Sequence, residues 1–129
     1  MRNLAGRFVV DEKTPQREGG MADVVCAFDS ENSMERVAVK LFRDGIIGPT
    51  YVLEAFSREC QSLAELGSHP NIIRLIDFGT DPESERKYIA LAWAPDNLVD
   101  FVKAHPPAGW DDFYERFGRP TLNALAFAY

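Results

Sequence analysis

A lysine and a glutamate are the residues in this sequence whose types and positions could act together in chemistry. Lys40 ends a β-branched run, Val-Ala-Val-Lys at 37–40, and Glu59 lies inside the apolar stripe of a helical segment further along. An unpaired carboxylate on a buried face is costly, so pairing or protonation must relieve it. The two residues are therefore predicted to pair with each other, and a lysine positioned by such a pair is suited to bind phosphate.

Each of the two residues also has a simpler explanation. Lys40 is alternatively an ordinary lysine at a strand end, with its ammonium group reaching water. Glu59 alternatively pairs with Arg58, Arg43 or another surface cation. Exposed pairs between helix neighbours contribute only about 0.3–0.5 kcal/mol, which is too little to explain a carboxylate on the apolar face. The pairing of Lys40 with Glu59 is therefore preferred.

A glycine pair, Gly19 and Gly20, lies between two predicted strands. Consecutive glycines allow the backbone to approach a phosphate closely and to direct N–H groups at it. A hairpin turn without any ligand is the alternative for a Gly-Gly pair in this position. The phosphate interpretation gains weight because a strand hairpin follows directly, and its second strand ends in Lys40.

The elements that position these residues follow from the hydrophobic pattern, which predicts an α+β fold. Apolar residues at three-and-four spacing predict one long helix over 51–66. Shorter helices are predicted at 98–104, 110–117 and 121–129, with an interruption at Gly118 and Pro120. Chain breaks are expected at 44–45 and 48–49. Five strands are predicted at 8–10, 24–28, 36–42, 72–78 and 88–93, and the second and third form an antiparallel hairpin.

The strand over 36–42 has two different faces. Ala38 and Lys40 point one way, and Val37, Val39 and Leu41 point the other. A small residue beside the lysine leaves room for a flat ligand above Ala38. The ammonium group can then reach the anionic end of that ligand.

Length and composition exclude several classes of protein. The 129 residues suit about one domain, and 46% hydrophobic with 26% charged residues is typical of a globular chain. A net charge of -6 argues against binding to nucleic acid or to an anionic membrane. Cys26 and Cys60 lack metal-ligand spacing, so no metal site is predicted and both are expected to be buried free thiols. Reduced thiols and the lack of a signal or membrane segment lead us to expect a cytoplasmic location.

Five short motifs, taken together, resemble the amino-terminal lobe of a eukaryotic-like protein kinase of the bacterial Ser/Thr type. The resemblance implies a five-stranded antiparallel sheet with one long helix over 1–95, ending in a hinge, and the first helices of a second lobe over 96–129. It covers nearly the whole chain. The motifs are Glu-Gly-Gly-Met-Ala-Asp-Val at 18–24, Val-Ala-Val-Lys at 37–40, Arg-Glu at 58–59, His-Pro-Asn-Ile at 69–72, and the strand and hinge at 88–95.

The resemblance implies a single site for ATP. Lys40 and Glu59 would be the catalytic pair, with Lys40 on the α- and β-phosphates. The implied cofactor-binding residues are Gly19 and Gly20 over the phosphates, Val24 and Ala38 over the adenine, Lys40, Leu91 as gatekeeper, and the backbone of Ala92 and Ala94 on the adenine edge. Magnesium would be held by residues absent from this chain.

The sequence departs from the family pattern in ways that bear on activity. Arg17 and Ala22 stand at two of the three glycine positions of the phosphate loop. The Asp-Phe-Gly at 77–79 precedes the hinge strand, so it is interpreted as a strand end and not as the metal-binding motif. The sequence contains no His-Arg-Asp catalytic loop. We therefore expect an inactive piece of an ATP-dependent Ser/Thr-type kinase, with affinity for Mg-ATP on the order of millimolar.

Two other functions remain open at this point. A kinase-like scaffold or regulatory module (a pseudokinase) without nucleotide turnover is slightly favoured by Arg17 and Ala22. A small-molecule phosphotransferase with a similar lobe is less favoured by the His-Pro-Asn-Ile motif. A protein substrate would be bound through the missing lobe.

The C-terminal third also predicts self-association. Its large apolar side chains would be exposed in the chain alone, which predicts a homodimer or a swapped assembly through the C-terminal helices. The alternative is that these helices fold back on the strand-rich unit. The side chains concerned are Trp110, Phe113, Phe117, Leu122, Leu125 and Phe127.

Overall fold

A computed structural model describes residues 2–43, 49–94 and 98–128 and has an α+β architecture. Strands come first, one long helix interrupts them, and shorter helices follow. The strands are β1 (Asn3–Leu4), β2 (Phe8–Val10), β3 (Arg17–Glu18), β4 (Ala22–Asp29), β5 (Glu35–Phe42), β6 (Leu75–Thr80) and β7 (Lys87–Ala92). The helices are α1 (Pro49–Leu66), α2 (Leu98–Ala104), α3 (Trp110–Phe113) and α4 (Arg119–Ala128), with a π-helical turn over Tyr114–Gly118 between the last two.

The strands form one antiparallel sheet in the order β1-β2-β4-β5-β7-β6, with β3 pairing separately to β4. The predicted antiparallel hairpin is confirmed as β4 and β5, which pair from Ala22↔Phe42 to Asp29↔Glu35. The expected number of five strands is wrong, because the sheet formed by the described residues has seven. The two additional strands, β1 and β3, have two residues each. Segments that short show no alternation that a sequence pattern could reveal.

The central strands bury both faces, and the two faces carry separate hydrophobic clusters. One cluster contains Val37, Val39 and Leu41 of β5, as the alternation predicted, and the other contains Phe42 of the same strand. The first cluster lies inside the curled sheet, and the second packs against α1. The first comprises Leu4, Phe8, Val25, Ala27, Val37, Val39, Leu41, Tyr88 and Ala90; the second comprises Ala22, Phe42, Val52, Phe56, Cys60 and Ile89.

Polar contacts join the two ends of the sheet. The backbone N–H of Ala5, just after β1, donates to Asp81 Oδ1 at 2.9 Å, just after β6. Arg7 donates two hydrogen bonds to the fully buried Asp29, at 2.8 and 2.9 Å, and its guanidinium also lies 3.7 Å from Asp77 of β6. Tyr88 donates to Asp77 at 2.7 Å. Burial and this hydrogen bond raise the pKa of Tyr88, so the phenol stays protonated. These contacts hold the sheet in its curled form.

Several predicted boundaries need correction. The helix predicted over 51–66 begins at Pro49, and the strand predicted over 72–78 runs from Leu75 to Thr80, because residues 66–72 form turns. The predicted interruption at Gly118 and Pro120 is wrong, since π-helical and α-helical turns continue through both residues. The Arg119 N–H donates to Tyr114 O, five residues back, and this wide turn accommodates the proline that follows.

The remaining expectations concern the two cysteines, the predicted chain breaks and membrane-spanning helices. Cys26 and Cys60 are buried free thiols, as predicted. The expected breaks at 44–45 and at Gly48, and the end of the hinge at Pro95, lie outside the described residues. None of the helices in the described ranges combines the length and the apolar character that a membrane crossing requires.

Candidate functional site

The central feature of the site is the pair that the sequence predicted. Lys40 Nζ of β5 donates to both carboxylate oxygens of Glu59 on α1, at 2.9 Å each. The lysine side chain is 29% exposed and the glutamate side chain 33%. The ammonium group also lies 5.2 Å from the centre of the Phe42 ring. The pair is therefore fixed at the edge of the helix–sheet interface, where a ligand in solvent can still approach it.

Helix α1 places Glu59 by burying the residues beside it. Val52, Phe56 and Cys60 lie one turn apart and are each at most 8% exposed. They pack on Phe42 and Ile89 of the sheet. Glu59 is next to Cys60 on this face, so the docking of the helix brings its carboxylate to the end of β5.

A cavity of about 370 Å³ lies on the same face of the sheet as Lys40. Four residues predicted to bind the cofactor line it: Val24 of β4, Ala38 of β5, Ala92 at the end of β7, and Ala94 beyond it. Strand pairing brings these residues together, because Ala38 is the register partner of Cys26 on β4 and of Leu91 on β7. The small side chain of Ala38 leaves the space open, as the alternation predicted.

The remaining predicted site residues lie outside the lining of this cavity. Lys40 is directed to Glu59, and Leu91 is half-buried against the cluster beneath α1. Gly19 and Gly20 lie in the exposed turn that joins β3 to β4. The structure therefore places a charge pair and an apolar cavity on one face of the sheet, and the glycine turn does not line that cavity.

Hydrogen bonds fix the glycine turn. The Gly19 N–H donates to Ala22 O at 2.9 Å, which closes the β3–β4 hairpin. The Arg43 guanidinium donates to the carbonyl of Gly19 and to the carboxylate of Asp23, and the Arg43 N–H donates to Met21 O at 2.9 Å. The amide of Gly19 is therefore already used within the turn. A hypothetical Cβ on Gly20 has no atom within 4 Å, so this side of the turn faces open space.

The backbone near the cavity has polar groups at its edge. The Ala92 N–H donates to Arg74 O at 3.0 Å, before β6 begins. In an extended strand the N–H and C=O of one residue point to the same side, so the Ala92 carbonyl also points toward the β6 side. Within the described part of the chain, no hydrogen bond is made by the Ala94 N–H. An acceptor and a donor two residues apart suit the edge of a heterocyclic ring.

Besides Arg17 of β3, five residues that the sequence did not assign to the site also line this cavity. Cys26 could have been predicted from the sequence, because it lies two residues after Val24 on the same face of β4. Burial raises the pKa of its thiol, so Cys26 lines the cavity in the neutral form. The others come from loops or follow a strand, where no local pattern predicts which cavity they line. They are Thr14, Pro15, Ile73 and Trp93.

The Asp-Phe-Gly at 77–79 lies within β6 and pairs with β7, so it is a strand segment. Asp77 accepts the hydrogen bond of Tyr88 there, which explains its position without a metal. In the described ranges, no group of three or more His, Cys, Asp or Glu side chains is arranged to hold a metal ion. No protein-family model matches the sequence.

Proposed function

We propose that this chain is the ATP-binding lobe of a Ser/Thr-type protein kinase. The observation that carries the proposal is the two-oxygen contact of Lys40 with Glu59, made between a central strand and the one long helix. Such a contact holds the ammonium group in one place, which suits it to the phosphates of a nucleotide. The apolar cavity beside it, lined by Val24 and Ala38, would take the adenine.

The residues present fit an adenine nucleotide in size and chemistry. Ligand cavities usually measure about 300–1,000 Å³, and this one, at about 370 Å³, is large enough for a flat base. Its walls are mostly apolar, while Ala92 and Ala94 offer backbone groups at one edge. Bound ATP would supply the transferable phosphoryl group. The role proposed for Lys40 and Glu59 is to bind and orient its phosphates.

The proposal is limited to nucleotide binding by these residues. Phosphoryl transfer also requires a group that orients the nucleophile and groups that hold magnesium. The sequence of 129 residues has no His-Arg-Asp loop to provide them. We therefore expect these residues by themselves to be inactive in phosphoryl transfer. Binding of a protein substrate would require a complete kinase.

A kinase-like scaffold without nucleotide is the second candidate, and the glycine turn favours it. The Gly19 amide donates within the turn, and Arg43 holds the Gly19 carbonyl. A turn fixed in this way has fewer N–H groups to offer a phosphate than an open glycine loop. We therefore place the affinity for Mg-ATP on the order of millimolar.

Replacement of Lys40 by methionine is expected to abolish stabilisation of the protein by Mg-ATP. A ligand at about ten times a millimolar Kd adds roughly 1.4 kcal/mol to the free energy of unfolding of the unmodified protein. Loss of the ammonium group removes the phosphate contact proposed for Lys40, so this increment should disappear. Thermal denaturation with and without Mg-ATP measures it.

Two variants make that result specific. Lys103→Met changes an exposed lysine of α2 and should keep the full increment. Lys40→Arg keeps a cation opposite Glu59 and separates loss of the pair from loss of the phosphate contact. If the unmodified protein gains no stability from Mg-ATP, the nucleotide proposal fails and the scaffold is supported.

We also propose that the helical segment associates with a second copy of the chain. Apolar side chains of α2, α3, the π-helical turn and α4 surround a groove of about 450 Å³. Trp110 is 76% exposed there, whereas Phe113 and Phe117 are half-buried. Near the groove, Arg116 pairs with Asp112 and Arg119 with Glu115, each four residues apart. These two ion pairs balance four charges near the groove, which reduces the repulsion between two copies of a chain with net charge -6.

Self-association is expected to weaken when the groove becomes charged. Sedimentation of the unmodified protein should show a dimer whose population rises with concentration. Trp110→Glu should shift it to the monomer, because an exposed carboxylate replaces the largest apolar contact. The matched change Tyr51→Glu, on an exposed position of α1, should leave the dimer intact. A monomer at high concentration in the unmodified protein would contradict the proposal.

A further inference from the structure

We propose that Arg17 binds the phosphate groups of the ligand, as the cation of the cavity. The inference rests on the proposed nucleotide function and adds a residue to it. Arg17 lies on β3, opposite Val24 of β4, at a position where the implied phosphate loop has a glycine. An arginine there replaces flexible backbone by a guanidinium group.

The composition of the cavity lining is the first argument. Ten described residues line it, and Arg17 is the one charged residue among them. The others are apolar or neutral, and they include Val24, Ala38 and Trp93. One cation at the border of an otherwise uncharged cavity favours a ligand with an apolar body and an anionic group.

The second argument is that Lys40, Arg43 and Arg86 near the site are ion-paired, while Arg36 lies over the rings of Phe28 and Trp93. Glu59 contacts Lys40 through both oxygens, so much of the lysine charge is already balanced. Arg43 and Arg86 both bind the carboxylate of Asp23, which is 8% exposed. Arg17 takes part in no ion pair or hydrogen bond of its side chain with residues 2–43, 49–94 or 98–128. Its guanidinium can therefore meet a ligand without giving up an existing contact.

The geometry of the guanidinium group completes the argument. Arginine presents parallel N–H donors that match two oxygens of one phosphate. The Gly19 N–H, a backbone donor expected at this position, is occupied by Ala22 O. Arg17 thus supplies donors that the fixed turn does not. The ligand recognised in this way is a nucleoside polyphosphate whose base lies in the cavity.

Affinities of Arg17→Ala for ATP, ADP and adenosine test the inference. Binding is measured by NMR titration, with the indole signal of Trp93 as the reporter in the cavity. The Kd for ATP and for ADP is expected to rise about tenfold relative to the unmodified protein. The Kd for adenosine should not change, because adenosine has no phosphate. The Kd of Arg17→Lys for ATP should lie between those of the unmodified protein and Arg17→Ala, since lysine keeps the charge and loses the planar group.

Arg119→Ala serves as the control, because it removes an exposed arginine of α4 that takes no part in the cavity. Equal weakening of ATP and adenosine by Arg17→Ala would overturn the inference and assign Arg17 to the shape of the cavity. Unchanged or tighter binding of ATP would overturn it as well. Failure of the unmodified protein to bind any of the three ligands would overturn the proposed function, and the inference with it.

Discussion

Replacement of Arg7 by methionine is expected to lower the free energy of unfolding by about 3–5 kcal/mol. Asp29 is fully buried, and Arg7 donates to both of its carboxylate oxygens. Methionine keeps most of the side-chain volume but leaves a buried charge without its cation. Because small domains are stable by only about 5–15 kcal/mol, the loss is a large part of the total. Urea denaturation at neutral pH measures it.

The contrast between a buried and an exposed ion pair is the control for this prediction. Arg119 pairs with Glu115 at 2.8 Å, but both side chains are more than half exposed. Arg119→Met should therefore change the stability by at most about 1 kcal/mol. Equal effects of the two substitutions would show that the buried pair has no special role.

The pH dependence of stability provides a second signature of the same pair. The hydrogen bond from Arg7 holds the pKa of the Asp29 carboxyl below its ordinary value of 3.8, although burial opposes this. A carboxyl with a lowered folded pKa stabilises the protein fully above 3.8, and this contribution is lost as the pH falls through the folded pKa. The unmodified protein should lose stability below about pH 4, and Arg7→Met should lose less there.

Replacement of Phe56 by alanine is expected to lower the free energy of unfolding by about 3–5 kcal/mol. Phe56 is 7% exposed and lies on the buried face of α1. Its ring contacts Phe42 at a centroid distance of 5.6 Å and Phe78 at 6.3 Å. Alanine would leave a cavity at the helix–sheet interface and loosen the helix that holds Glu59. Denaturation measures the stability.

A second readout for Phe56→Ala is the affinity for Mg-ATP, if the proposed function holds. Glu59 lies three residues after Phe56, so a loosened helix should weaken the contact with Lys40 and raise the Kd. Leu53→Ala removes a half-exposed residue of α1 and should cost less than about 1 kcal/mol. A similar loss in both variants would mean that α1 is not anchored by its buried face.

Much of the local structure could be predicted from the sequence because it depends on short-range patterns. The alternation over 36–42 correctly placed Val37, Val39 and Leu41 on one face. The three-and-four spacing correctly gave the long helix, to within two residues at its start. Patterns of this kind failed for β1 and β3, which are too short to show a period, and at Gly118–Pro120, where a π-helical turn carries the helix onward.

The glycine turn shows the limit of prediction from residue type alone. Two glycines predicted a backbone free to contact phosphate. In the structure the Gly19 amide belongs to the hairpin, and Arg43 holds the carbonyl of the same residue from the end of β5. Neither contact is visible in the sequence around the turn, because Arg43 lies more than twenty residues away.

The sequence by itself determined which side chains needed partners. A lysine at a strand end and a glutamate on an apolar helix face were predicted to pair with each other, since burial of an unpaired charge is costly. Only the tertiary structure decided where the neighbouring cations go. Folding pairs Arg43 and Arg86 with Asp23, and leaves Arg17 at the cavity. The physical reason is that ion pairs form between residues distant in the chain, once the sheet register has brought their strands together.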